Sequence, residues 1–169
     1  METKRRFRKM AISFSLVMAL LIAGLESGGG THAVAENKLK TACATALKAT
    51  GNAKKLTYKT STPSDFDAIS FRHDRKVSAI YYVTSDNTVY NVCVAKAKTT
   101  ANAKTLYQAF AAYKKDRLAS EYFKADFTKT EQNVMRNAIY GRKGKYVWYI
   151  SMSSKKKNQA GEKALKKKL

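Results

Sequence analysis

The chain is poor in residues that mark several protein classes. Its 169 residues include one Pro, eight Gly, two Cys and two His, and Asp+Glu number 12 against 33 Lys+Arg. So little Pro and Gly excludes collagen-like and Pro-rich chains, and without a sustained apolar heptad a coiled coil is excluded too. The two histidines offer little to a metal or catalytic centre. His32 falls in the N-terminal region, and His73 stands beside Asp74 in a polar stretch, where a lone histidine reads as a solvated side chain. A nucleophile elbow, a paired-carboxylate signature and a phosphate-cradling loop are all missing. Asp65 and Asp67, two apart, point to different sides of a helix and read as capping and surface charges. These absences lead us to expect no enzymatic activity, no metal and no cofactor.

What is present suffices for one folded domain. A hydrophobic share of 44%, with 11% aromatic residues, can build a core despite a formal charge of +21. The first 35 residues have a signal-peptide layout: the basic cluster Lys4, Arg5, Arg6, Arg8 and Lys9, then the apolar run Met10 to Leu25, then Gly28 to Gly30 and the small-residue site Ala33-Val34-Ala35. The apolar run covers 16 positions, short of the roughly 20 a spanning helix needs. Cleavage is expected before Glu36, leaving no integral membrane segment; the alternative is retention as an N-terminal anchor. A lipobox is ruled out because Leu25 stands where a Cys would be acylated. The exported remainder, 36–169, holds 28 Lys+Arg against 10 Asp+Glu, a formal charge of +18.

Along this remainder, Leu39, Ala42, Cys43, Ala46 and Leu47 form a helical stripe stopped by Gly51. A short extended piece, 56–58, and a Pro63 turn that opens a helix through Phe71 come next. The Val-, Ile- and Tyr-rich runs 77–83 and 89–95 flank Ser85-Asp86-Asn87 and predict a β-hairpin. A helix is expected from Thr99 or Thr100 to about Phe123, burying Ala103, Leu106, Phe110 and Tyr113. Thr128 to Glu131 is a capping-box pattern. A second hairpin, 138–141 and 145–152, turns around Arg142-Lys143-Gly144, with Tyr146, Trp148, Ile150 and Met152 on its core face. The fold class is therefore α+β: an antiparallel sheet of about four strands in hairpin, helix, hairpin, helix order, with helices packed on it, preceded by an N-terminal amphipathic helix. The domain is placed at 36–154. The Lys-rich segment 155–169, interrupted by Gly161, is expected to be a weakly docked helix or tail.

Three stretches, VCVAKAK from Val92, LYQAFAAYKKDRLASEYF from Leu106 and VMRNAIYGRKGKYVWYISMS from Val134, resemble the extracytoplasmic bacterial domain of unknown function numbered forty-three fifty-eight. The likeness covers roughly residues 60 to 165 and implies a small exported domain of Gram-positive, clostridia-type bacteria, with no activity attached. Members that look like this are often acidic lipoproteins, and the chain departs from them in its charge and in lacking the lipobox Cys.

Charge and cysteines carry the functional expectations. Arg142, Lys143, Lys145, Lys155, Lys156, Lys157, Lys166, Lys167 and Lys168 are the candidate polyanion-binding residues, interleaved with Tyr140, Tyr146, Trp148 and Tyr149. The plainer alternative is a core strand flanked by solvated cations. Lys exceeds Arg, which favours diffuse attraction over bidentate recognition. The expected partner is an anionic envelope polymer such as teichoic acid, an anionic lipid surface or an acidic protein; extracellular nucleic acid is the competing class, and solubility alone a further alternative. Cys43 and Cys93, both in the exported part, are candidates for a disulfide, with two separate buried thiols as the alternative. Such a bond requires the first helix to lie against the Val89/Asn91/Cys93/Ala95 face of its strand.

Overall fold

The computed structural model describes residues 30–51, 57–59, 68–69, 73–84 and 89–169. Residues 1–29, most of the helix expected after Pro63 and the turn at 85–87 lie outside the described residues. The described elements run α1 (Gly30–Thr50), β1 (Thr57–Lys59), a 3-10 turn (Asp74–Lys76), β2 (Val77–Thr84), β3 (Asn91–Ala97), α2 (Thr100–Ala119), α3 (Glu121–Asp126), α4 (Lys129–Arg136), β4 (Ile139–Lys143), β5 (Tyr146–Ser151) and α5 (Lys155–Lys166). The fold is α+β, as the sequence predicts. Two hairpins, β2–β3 and β4–β5, meet through β3 and β5, and the three-residue β1 extends the β2 edge, giving the order β1-β2-β3-β5-β4 with every pair antiparallel.

Period-two alternation divides the strand side chains between two helical layers. On one face Ile80, Tyr82, Cys93, Ala95, Val147 and Tyr149 pack against Leu106 and Phe110 of α2 and against Phe123, Val134 and Met135 of α3 and α4. On the other, Tyr81, Val83, Val92, Val94, Trp148 and Ile150 meet Leu39, Ala42, Cys43, Ala46 and Leu47 of α1 and Leu165 of α5. The face expected for Trp148, Ile150 and Met152 is the one observed.

Local signals fix the element ends. Thr128 Oγ1 accepts from the Glu131 amide while the Glu131 carboxylate accepts from the Thr128 amide, the reciprocal box that starts α4. Gly144, at φ +56°, turns β4 into β5, and Gly51, at φ +77°, ends α1. The helix expected to run from 100 to 123 is instead two. Ser120 takes ψ 125°, outside the helical range, and its hydroxyl accepts from the Phe123 amide, so one residue ends α2 and caps α3. Serine competes with the helix for its own neighbours' amides, which apolar periodicity does not register.

The C-terminal segment corrects a second expectation: 155–169 is not a weakly docked tail. Asn158 is fully buried, its Oδ1 accepting from the Met152 amide at 3.2 Å and its Nδ2 donating to the Asn137 carbonyl at 2.9 Å. Leu165 is fully buried as well. Gly161, which reads in sequence as a helix breaker, is a contact residue: a Cβ there would stand 2.8 Å from Thr50 Cγ2 and 3.1 Å from the Ala46 carbonyl oxygen of α1. Ser154 caps the helix by accepting from the Lys157 amide.

Two substitutions test this docking by chemical denaturation. Gly161→Ala would gain about 1 kcal/mol in an exposed helix; here we expect a loss of about 1–3 kcal/mol, because α1 and α5 must separate. Asn158→Ala should cost about 2–4 kcal/mol, since it removes two hydrogen bonds made by a fully buried side chain and leaves its space unfilled. Deleting 155–169 should abolish cooperative unfolding.

Candidate functional site

The nine candidate cations do not form one patch. Helix α5 runs antiparallel to β5, so its start and its end lie at opposite ends of the sheet. Lys155, Lys156 and Lys157, all exposed, stand at the start. Lys114 is near them: its ammonium donates to the Ala138 carbonyl at 2.7 Å and is made less basic by burial and by the charge of Lys155. Lys166, Lys167 and Lys168 lie at the other end, where the β4–β5 turn brings Arg142, Lys143 and Lys145.

At that second end the cations gather around Tyr146. Tyr146 pairs with Lys96 of β3 on one side and with Lys143 of β4 on the other. Directly paired side chains share a face of the sheet and stand about 5 Å apart at Cβ. Lys38 of α1 places its ammonium 5.0 Å from the Tyr146 ring centroid, within cation–π range, and donates to the main-chain oxygen of Leu169 at 3.2 Å. Lys143 reaches the Lys166 carbonyl at 3.5 Å, and Lys166 lies 5.3 Å over the Trp148 ring while paired with Glu162 at 3.0 Å. Glu162 is the one acidic side chain ion-paired with any of Lys38, Lys96, Lys143 and Lys166 among the described residues, and Lys38 is bound to the main-chain oxygen of Leu169. Arg142, paired with Val147, faces the α2 side instead. Lys145 sits in the turn, with its carbonyl bound by the Ala97 amide at 2.8 Å.

Sequence reasoning therefore found Lys143 and Lys166 to Lys168 but missed Lys38 and Lys96. The missed signals are small: Lys96 interrupts the apolar run of β3 one residue before its end, and Lys38 immediately precedes Leu39, the first buried residue of α1. Together the four lysines form a positive cluster about Tyr146 and Trp148, suited to anionic oxygens held by point charges.

The disulfide expectation is overturned. Cys43 and Cys93 are both free and buried. Helix α1 lies on the Val92/Val94 face, where the Cys43 thiol donates to the Val92 carbonyl at 3.3 Å, whereas Cys93 points to the opposite layer with Ala95. Volume complementarity explains the choice of face. The small stripe Ala42, Cys43 and Ala46 fits the bulky Val92, Val94 and Trp148, and the small Cys93, Ala95 and Ala97 leave room for the aromatic residues beneath α2.

A surface cleft of about 350 Å³ lies beside α2, with His73, Tyr113, Asp116, Arg117 and Ser120 among its walls. Two of these groups have structural duties: Ser120 caps α3, and Arg117 lies 5.6 Å over the Tyr113 ring. No group of three or more His, Cys, Asp or Glu arranged to hold a metal occurs among the described residues. Comparison with known protein families, with curated proteins and with solved structures finds no match.

Burial pushes the Cys43 and Cys93 thiols and the Tyr149 phenol well above their ordinary values. The fold thus favours their neutral forms. The stabilisation this provides is complete below about pH 8, where the unfolded thiol is still protonated, and is lost progressively as pH rises through the ordinary thiol and phenol range. We expect alkylating reagents at neutral pH to leave both thiols unmodified in the native protein and to label both after denaturation, and we expect the urea midpoint to fall from about pH 8 upward. A native protein that already labels one cysteine rapidly would contradict the buried arrangement.

Proposed function

We propose that the protein is an exported, non-enzymatic module that binds anionic cell-envelope material through the lysine-bearing end of its sheet. One observation carries the reading: Lys38, Lys96, Lys143 and Lys166, from four different elements, gather around Tyr146 and Trp148 with Glu162 the one acidic side chain paired among them. Like charges brought together in this way cost folding energy, and an anionic partner recovers it.

Export is supported by the layout of the first 35 residues and by where packing begins. Among the described side chains of α1 the first that is buried is Leu39, so cleavage before Glu36 leaves every buried residue among those described in place. Lysine in place of arginine favours a polymer or surface of repeated single charges over a base-reading interface.

Titration with teichoic acid and with duplex DNA at matched ionic strength tests the reading. Binding to teichoic acid should weaken steeply with salt, and replacing Lys96, Lys143 and Lys166 by Gln should lower the slope of log K against log salt by about 2–3, one charge contact per lysine. A preference for DNA that persists as salt rises would favour the nucleic-acid alternative. Binding to no polyanion near physiological salt would leave the charge a role in solubility alone.

A further inference from the structure

The preceding chain joins the domain at the lysine-bearing end. Lys38 sits over Tyr146 and binds the Leu169 oxygen, which places the early turns of α1 beside the end of α5. Before Lys38, the helix continues through Val34, Glu36 and Asn37, all exposed, with Val34 at 70%. What precedes α1 in the sequence is a five-residue basic cluster and the apolar run Met10 to Leu25. A basic cluster followed by an apolar run is the layout of a segment threaded into a membrane during export, and in the sequence it leads directly into α1, the helix that carries Lys38.

The second lysine group separates a surface from a flexible polymer. Lys155 and Lys166 are eleven helical steps apart, about 16 Å at 1.5 Å per residue, which is twice the screening length of roughly 8 Å at physiological ionic strength. A flexible polyanion can follow the chain of charges from one end of α5 to the other. A flat bilayer resting on one end meets only that end.

We infer that the anionic partner is a membrane surface and that the domain stands on it end-on, with Lys38, Lys96, Lys143 and Lys166 against the headgroups and Lys155 to Lys157 turned away. The inference rests on the anion-binding reading above and adds the partner and the orientation. It holds for both forms of the chain: if uncut, the apolar run supplies the hydrophobic half of a two-signal anchor; if cut before Glu36, all four lysines remain.

Lysine acetylation footprinting of the full chain tests it, on vesicles containing phosphatidylglycerol and on vesicles of phosphatidylcholine alone. The apolar run can insert into both, so the difference reads headgroup charge. On the anionic vesicles we expect acetylation of Lys38, Lys96, Lys143 and Lys166 to slow several-fold and that of Lys155 to Lys157 to stay unchanged, with the protection reversed by high salt. A variant with Lys96, Lys143 and Lys166 changed to Gln should lose the charge-dependent binding, while one with Lys155, Lys156 and Lys157 changed to Gln keeps it. Equal protection at both ends, or protection at the start of α5 alone, overturns the orientation. If soluble teichoic acid protects the lysines and anionic vesicles do not, the membrane inference fails while the anion-binding reading stands. If neither protects them, both fail.

Discussion

Much of the architecture depends on the seating of one indole. Trp148, fully buried in the middle of β5, lies so close to Gly141 of β4 that a Cβ there would fall 2.5 Å from its ring. Only glycine leaves the room. Because the ring closes over the neighbouring strand, its Nε1 is presented to α5 and donates to Glu162 at 3.1 Å. Glu162 in turn holds Lys166, which lies over the same ring. An ion pair this accessible adds little stability, but it fixes the rotation of α5, and that rotation turns Asn158 and Leu165 inward and brings Lys166 to the β4–β5 turn.

From this follows the separation of the basic residues into two groups. The sequence places seven Lys between 155 and 169, and a disordered tail would let them act as one flexible charge cluster. A helix pinned at Trp148, Asn158 and Gly161 does the reverse. It carries Lys155 to Lys157 to one end of the sheet and Lys166 to Lys168 to the other. The same pinning makes Lys143, an unremarkable turn cation in the sequence, a neighbour of Lys166.

Legibility followed the range of each interaction. The strands, the capping box of α4, the glycine stop of α1 and the core face of β5 are written in residues a few positions apart, and all were readable from alternation and capping chemistry. The break at Ser120 was less so, because its signal is a single hydroxyl set against a strong apolar period. The docking of α5 was hidden altogether. Gly161 looked like a weakness because its partners, Thr50 and Ala46, lie more than a hundred residues earlier, and nothing local marks Asn158, because the groups it satisfies belong to Met152 and Asn137. The lysine cluster was hidden for the same reason: Lys38, Lys96, Lys143 and Lys166 become neighbours only when the strand order is known. The cysteine pairing failed on a point that count and compartment do not contain, namely which face of β3 the first helix covers.

The excess positive charge is not something the fold requires. Both cores are built from apolar side chains, and the described ion pairs are exposed or half-exposed. Some of the lysines act against stability. Lys155 to Lys157 occupy the first turn of α5 with no acidic residue among them, where the helix dipole disfavours cations, and Lys155 makes Lys114 less basic. Solubility by itself does not demand cations, since it is served by charge of either sign and better by carboxylates. A domain that keeps its cations where they repel one another and oppose its own helices is stabilised by whatever neutralises them, and that is the physical ground on which the anion-binding proposal rests.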